Sequence, residues 1–337
     1  MRAVGYKTPQ PISAETSLID IELPVPDATG HDILVEVKAV SVNPVDVKVR
    51  AGVTPPDGQA KILGWDAAGV VKAVGPDVSL FKVGDEVFYA GSIARQGSNA
   101  EFQLVDERIV GHKPKTLDFA AAAALPLTSI TAYETLFDRL KVRDVVPGAA
   151  KAILIIGGAG GVGSIAIQIA RALTDLTVIA TASRPETQDW VKQLGAHHVI
   201  DHSKPIAKQV AALGIGAPGF IFSTTNTSDH LADIVDAIAP QGRFALIDDP
   251  KALDVMPFKR KAVSIHWELM FTRPLFDTPD MIEQHRLLNT IANLVDAGQI
   301  KTTLNETAGT INAANLKVAH AMVESGKMKG KVVLEGF

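Results

Sequence analysis

The sequence predicts an α/β protein in which a doubly wound parallel sheet is joined to a second, β-rich part. Three observations predict it. Apolar runs of strand length alternate with helical stretches after Pro126, and short strands broken by Pro and Gly precede that point. The 337 residues are also about twice what one compact core usually holds.

Hydrophobic residues make up 47% of the chain and charged residues 21%, enough apolar side chain to offset the entropy of ordering the backbone. A net charge of −4 supplies no broad positive field, which argues against nucleic acid as a partner. With no cysteine, disulfides, thiolate metal sites and cysteine nucleophiles are excluded together. Met1–Tyr6 lacks the apolar region of a secretory signal, and no apolar run approaches the roughly 20 residues that span a bilayer. The expected location is the cytoplasm, with a small-molecule substrate and no membrane partner.

From Met1 to about Leu125 the chain reads as strands and turns. Ile33 to Val40 alternates apolar and charged residues as a half-buried strand does, and Gly69–Gly75 followed by Val83–Phe88 reads as strand, turn, strand. Phe119 to Leu127 is short and Ala-rich, the start of a buried helix. A helix is then expected from about Ser129 to Leu140, a strand at Ala152–Ile156, a Gly-rich loop and a helix from Val162 to Leu173. Thr177–Ala182, Val199-Ile200, Gly219–Phe222 and Phe244–Ile247 read as further strands, with helical Trp190–Leu194 and Leu231–Ile238 between them. Val263–Phe271 reads as one more strand and Pro279–Ala297 as a long helix. The tail, ending in Lys331-Val332-Val333-Leu334, reads as short strands that complete the first domain. The expected domains are 1–126 with 274–337, and 127–273.

Gly158-Ala159-Gly160-Gly161-Val162-Gly163 fits G-x-G-x-x-G, a weak signal by itself. Here it follows an expected strand and opens an expected helix, so bare backbone N–H groups and a helix N-terminus can meet a pyrophosphate. Units that bind NAD place an Asp or Glu at the end of the second strand for the ribose hydroxyls. This chain has Thr181-Ala182-Ser183-Arg184 instead, with no carboxylate to repel a 2′-phosphate and a hydroxyl and guanidinium to receive one. The expected cofactor is NADPH.

Two N-terminal stretches, Val42-Asn43-Pro44-Val45-Asp46-Val47-Lys48 and Leu63-Gly64-Trp65-Asp66-Ala67-Ala68-Gly69-Val70-Val71, resemble signatures of the medium-chain dehydrogenase/reductases, in their quinone oxidoreductase branch. Val83–Val87, Leu127–Tyr133, the Gly157–Gly163 loop and Gly330–Leu334 match in order, so the resemblance spans essentially the whole chain. It extends to a bacterial subgroup labelled zinc-type alcohol dehydrogenase-like, with similar counterparts of Thr181–Thr187 and Asp201-His202-Ser203. The architecture it implies is a Rossmann domain for NADPH, 127–273, beside a β-rich GroES-like catalytic domain.

Zinc-dependent alcohol dehydrogenases carry a Cys ligand where this chain has Asn43, and a Gly-His-Glu motif where it has Gly64-Trp65-Asp66. A catalytic zinc wants three protein ligands, and Trp cannot serve as one, so no metal is expected. Position by position, the resemblance implies that Asn43 and Thr131 lie near the nicotinamide. It implies that Gly158, Ala159, Gly160, Gly161, Val162 and Gly163 bind cofactor, the last four under the pyrophosphate. Ser183, Arg184 and His202 would surround the 2′-phosphate, and Ser223 and Ile247 would line the cleft.

Without a Lewis acid to polarise a simple carbonyl, the natural acceptors are a quinone or an α,β-unsaturated carbonyl, which need orientation, dryness and donors for the developing oxyanion. Asn43 and backbone N–H groups are the candidate donors, and solvent the candidate proton source. Thr54 stands where some enoyl-thioester reductases of this scaffold carry a Tyr, and Tyr89 reads as strand packing. His197-His198 and His202 lie close together in sequence, but no third ligand with metal spacing follows. His266-Trp267-Glu268 reads as an edge strand of the kind by which this family commonly dimerises, making a homodimer the expected state. The rival expectations are a zinc alcohol dehydrogenase and a non-catalytic NADPH-binding protein. Loops Ala51–Lys61, Ala90–Asn99 and Pro250–Lys261 are expected to line the substrate pocket.

Overall fold

The computed structural model describes residues 1–56 and 58–337; Asp57, in the expected pocket loop Ala51–Lys61, lies outside the described residues. The chain divides into two compact units, Met1–Ile130 with Phe271–Gly298 and Thr302–Phe337, and Thr131–Met270 with Gln299–Lys301.

The first unit opens with β1 (Arg2–Tyr6), β2 (Ile19–Glu22) and β3 (Asp32–Ser41). In β3 the alternation is real but shallow: Glu36 and Lys38 are its half-exposed interior positions and the remainder of Ile33–Ser41 is buried. Pro44 then starts α1 (Pro44–Gly52), where a proline's missing N–H costs nothing. β4 (Lys61–Ile62), β5 (Ala67–Val74), β6 (Glu86–Tyr89), β7 (Phe102–Asp106) and β8 (Val110–His112) follow. β3 pairs antiparallel with β5 along one edge, and β5 continues through β6 to β8. The Ala-rich stretch forms α2 (Phe119–Ala123), capped by the Asp118 carboxylate on the Ala121 N–H at 2.7 Å.

Where one helix is expected over Ser129–Leu140, the chain forms α3 (Pro126–Tyr133) followed by a π-helical turn, Glu134–Arg139. The change of winding has an electrostatic rationale. Residues five apart share a face in a π-helix, and Glu134 and Arg139 both converge on Glu268. Arg139 Nε donates to Glu268 Oε2 at 2.7 Å, and burial reinforced by the Glu134 charge pushes Glu268 up to about 9.

The second unit continues with β9 (Ala150–Ile156), α4 (Gly161–Leu173), β10 (Thr177–Thr181), α5 (Pro185–Gln193) and β11 (His198–Ile200). Next come α6 (Ile206–Ala212), β12 (Pro218–Ser223), α7 (Thr227–Ala237), β13 (Arg243–Leu246) and β14 (Ser264–Trp267). All pairings are parallel, in the order β11-β10-β9-β12-β13-β14. Near-continuous burial of β9 and β12 reflects a sheet covered on both faces. Leu154, Ile179, Ile221 and Phe244 form its core, with Phe258 stacked on Phe244 at 5.5 Å. The fold class is the one expected, with a parallel sheet in one unit and a β-rich fold in the other. β14 is shorter than Val263–Phe271, because Glu268 turns into the buried pair with Arg139.

The chain returns to the first unit with α8 (Thr272–Phe276), α9 (Glu283–Asp296), β15 (Leu304–Thr307), α10 (Ala313–Glu324) and β16 (Lys331–Glu335). β16 pairs antiparallel with the end of β3. The tail is therefore more than short strands: α10 starts where the Asn312 side chain accepts the Asn315 N–H at 2.8 Å and buries Leu316, Ala319 and His320 on one stripe. Among the described residues no helix is long and apolar enough to cross a membrane.

His320 is fully buried with neither ring nitrogen hydrogen-bonded, and burial followed by the Arg50 charge pushes it down to about 3. An unfolded chain protonates this imidazole near pH 6.5 while the native one resists until about 3. Stability from this group is thus complete above 6.5 and is lost as pH falls toward 3, at up to about 1.4 kcal/mol per pH unit. We expect His320→Leu to flatten the acid side of the stability profile. Urea midpoints of both proteins between about pH 4 and 7 measure it, and parallel curves would remove His320 from the account.

Candidate functional site

In the second unit the glycine loop leaves the carboxyl end of β9. Gly157 sits at φ +79°, and an added Cβ would meet Thr224 Oγ1 at 2.4 Å, so only glycine fits this turn. At Gly158 a Cβ would lie 2.9 Å from Ala180 Cβ, and at Gly163 2.3 Å from the Gly157 carbonyl oxygen. Those two glycines let α4 pack close to the strands. Gly160 differs, since a Cβ there meets nothing nearer than the Gly157 oxygen at 3.5 Å. Space in front of the loop, bordered by the partly exposed Ala159, Gly160, Gly161 and Val162, is what a side chain would fill. A pyrophosphate suits that cradle, because it faces the first turn of α4.

The loop is fixed from behind. Thr181 Oγ1 accepts the Gly157 N–H at 3.0 Å and the Thr181 carbonyl accepts the Gly158 N–H at 3.0 Å. Ser164 Oγ donates to the Ala159 carbonyl at 3.2 Å and accepts from Trp190 Nε1 at 2.8 Å. Past β10, Ser183 and Arg184 are partly exposed, and the Arg184 N–H meets Thr187 Oγ1 at 3.2 Å as α5 begins. The Arg184 guanidinium lies 3.2 Å from Glu186. His202 Nδ1 lies 3.2 Å from Thr181 Oγ1, so the structure brings this imidazole to the same strand end. At the ends of β12 and β13, Thr227 Oγ1 lies 2.8 Å from the buried Ser223 Oγ and 2.5 Å from Asp248 Oδ1. Ile247, just past β13, is partly exposed at this same carboxyl edge of the sheet, where open α/β sheets bind dinucleotides. Thr131 is buried in α3, and its carbonyl accepts the Thr135 hydroxyl at 2.7 Å.

The first unit holds a buried charge network that composition and motif did not announce. Asn43 caps α1, where Asp46 Oδ2 accepts the Asn43 N–H at 2.8 Å and Asp46 Oδ1 accepts the Gly64 N–H at 2.9 Å. Asp66 Oδ1 accepts the Leu127 N–H at 2.7 Å, and Oδ2 accepts from Asn43 Nδ2 at 2.8 Å. Lys331, at the start of β16, completes the set: its Nζ lies 2.5 Å from Asn43 Oδ1, 3.0 Å from the Val42 carbonyl and 3.1 Å from Asp66 Oδ2. Three acceptors satisfy all three ammonium donors. Burial pushes Asp46 up to about 7, with Asn43's N–H and Lys331 pulling the other way, and burial also raises Asp66 against Lys331.

Zinc does not fit these residues. Trp65 is fully buried, its Nε1 donates to the Ser92 carbonyl at 3.2 Å, and an indole N–H cannot ligate. The oxygens of Asn43 and Asp66 face a resident ammonium, which already supplies the positive charge. Among the described residues no group of three or more His, Asp or Glu side chains could hold a metal ion. Tyr89 is packed in β6, where its fully buried hydroxyl has no hydrogen-bond partner.

Glycine cradle, parallel sheet and β-rich unit together define a nicotinamide-dependent oxidoreductase. Comparison with known proteins agrees: residues 29–115 match the alcohol dehydrogenase GroES-like domain, and residues 161–281 the zinc-binding dehydrogenase domain. A zinc-type alcohol dehydrogenase-like protein of Staphylococcus aureus strain MSSA476 is 41% identical over 99% of both chains. A 2-methylene-furan-3-one reductase of Solanum lycopersicum is 38% identical across 57% of this chain and 50% of its own. A solved structure from Rhizobium etli CFN 42, provisionally described as a zinc-dependent alcohol dehydrogenase, superimposes with TM-score 0.99 at 72% identity, covering 100% of this chain and 98% of that one. The quinone oxidoreductase of Pseudomonas syringae pv. tomato DC3000 gives TM-score 0.82 at 25% identity, covering 99% of each chain. The chain belongs to the medium-chain dehydrogenase/reductase superfamily, among its zinc-type alcohol dehydrogenase-like members, without the zinc ligands at 43 and 65.

Proposed function

We propose that the protein is an NADPH-dependent reductase that delivers hydride to a quinone or an α,β-unsaturated carbonyl without zinc. The observation that carries this reading is the Lys331 ammonium, seated among oxygens of Asn43, Val42 and Asp66. An ammonium already engaged by three oxygens offers no open Lewis-acid position, which favours an acceptor that is already electrophilic. Two relatives, a quinone oxidoreductase and a 2-methylene-furan-3-one reductase, are named for such acceptors.

NADPH, when bound, supplies the hydride. Gly158 to Gly163 cradle its pyrophosphate, Ser183, Arg184 and His202 receive the 2′-phosphate, and Ser223 and Ile247 border the nicotinamide half of the sheet edge. Asn43 of the first unit and Thr131 of the second are each assigned a catalytic role near the nicotinamide. Asn43 acts within a rigid frame, its oxygen toward Lys331 and its amide toward Asp66. Two copies pair along β14, whose outer edge lacks a strand neighbour among the described residues and exposes Trp267.

The test follows NADPH oxidation against a panel of quinones, enones, aldehydes and alcohols. Turnover confined to conjugated acceptors, unaffected by chelator, is expected. Zinc-dependent turnover of simple alcohols would reject the reading, and silence across the whole panel would leave a binding protein.

A further inference from the structure

The geometry points to His230 as a second imidazole of the 2′-phosphate site, paired with His202 so that NADPH binding takes up a proton while NADH binding does not. This rests on the NADPH reading and adds to it a residue on α7 and a pH dependence. The rings of His202 and His230 lie 6.2 Å apart, centroid to centroid, at a tilt of 59°. Both are partly exposed, and they come from different segments, His202 from the loop after β11 and His230 from the first turns of α7. A phosphate with three acceptor oxygens can bridge two ring N–H groups at that spacing.

Orientation follows from the hydrogen bonds behind the pair. Thr181 Oγ1 accepts the Gly157 N–H and lies 3.2 Å from His202 Nδ1, so one hydroxyl links the phosphate subsite to the glycine loop. With Nδ1 held at this hydroxyl, Nε2 is the ring nitrogen left for the phosphate once the imidazole is protonated.

The charges facing His202 are His230 on α7, Asp201 beside it and Arg184 at the start of α5. Asp201 pairs with Lys204 at 3.4 Å and Arg184 with Glu186 at 3.2 Å. Burial, followed by the neighbouring His230 and Arg184, holds His202 below its ordinary value, with Asp201 opposing. His202 is therefore held toward its neutral form, and an arriving dianion raises it. NADPH affinity is gained as pH falls from above the bound value toward the free one, by up to about tenfold per pH unit for one proton. The cofactor's phosphate, with a second pKa of about 6, works the other way only at lower pH.

Titration calorimetry of the intact protein with NADPH and with NADH, between about pH 6 and 8 and in buffers of different ionisation enthalpy, tests this. Expected is an NADPH-to-NADH affinity ratio that climbs as pH falls, with proton uptake seen for NADPH alone. His230→Gln should reduce both the ratio and its slope, with circular dichroism melting used to verify the fold. If NADPH is preferred but the ratio is flat, or the slope survives in His230→Gln, the imidazole pair is wrong and the cofactor reading stands. Tighter NADH binding at every pH overturns both.

Discussion

Replacing Lys331 with Met is expected to destabilise the first unit by about 3–5 kcal/mol, the usual result of removing one partner from a buried ion pair. Lys331 is 3% exposed and its ammonium touches the Val42, Asn43 and Asp66 oxygens. A methionine of similar length fills the space but leaves the fully buried Asp66 carboxylate without a counter-charge, and Asn43 Oδ1 without a donor. Asp46, already pushed up to about 7, rises further when the Lys331 pull is gone. A melting transition lowered by roughly 10 °C or more is the expected reading.

Adding Asp66→Asn to the same variant removes the stranded charge and should restore part of the loss, which a double-mutant cycle reports as positive coupling. If Lys331→Met melts like wild type, or the two substitutions simply add, the ammonium is not what holds this network. The cycle also bears on chemistry, because it separates the frame around Asn43 from any metal the family name suggests.

Much of this molecule is written in local pattern. The second unit's strands are short apolar runs between helical stretches, and their ends fall within a residue or two of expectation, as at β9, β12 and β13. Parallel sheets bury both faces, so their strands announce themselves. Elements decided by distant partners do not. The π-helical turn at Glu134–Arg139 exists where two residues meet Glu268, more than a hundred positions away in the chain. α10 hides in a tail of Asn, Ala and Thr whose buried stripe is Ala313, Leu316, Ala319 and His320.

The same divide runs through the candidate site. The loop is legible because Gly157, Gly158 and Gly163 answer local steric demands while Gly160 leaves the cradle open. Lys331 was in view as part of Gly330–Leu334, and a lysine opening an apolar strand was the available signal that it needs a buried partner. Nothing local says that the partner is Asp66, 265 positions earlier in the chain. His230 carried no signal at all, since only the packing of α7 brings it to His202.

Two glycines of one loop should fail in different ways, and the contrast separates a folding role from a binding role. At Gly163 a methyl group would stand 2.3 Å from the Gly157 oxygen and 2.7 Å from Gly158 Cα, both backbone atoms that cannot rotate away. Gly163→Ala must lift α4 from β9, costing about 1–3 kcal/mol as an overpacked core does, and cofactor binding falls with it. Gly160 has φ −69° and ψ 174°, ordinary for any residue, and a methyl there contacts only the Gly157 oxygen at 3.5 Å. Gly160→Ala should therefore change the melting of the cofactor-free protein by less than about 1 kcal/mol. Its cost appears only on adding NADPH, where the methyl takes the space meant for phosphate and Kd rises by about tenfold or more, equivalent to roughly 1.4 kcal/mol. Calorimetric melting and equilibrium titration on the two variants decide it. A Gly160→Ala protein that binds NADPH as tightly as wild type would mean that the phosphates lie elsewhere, and the assignment of this loop would have to be withdrawn.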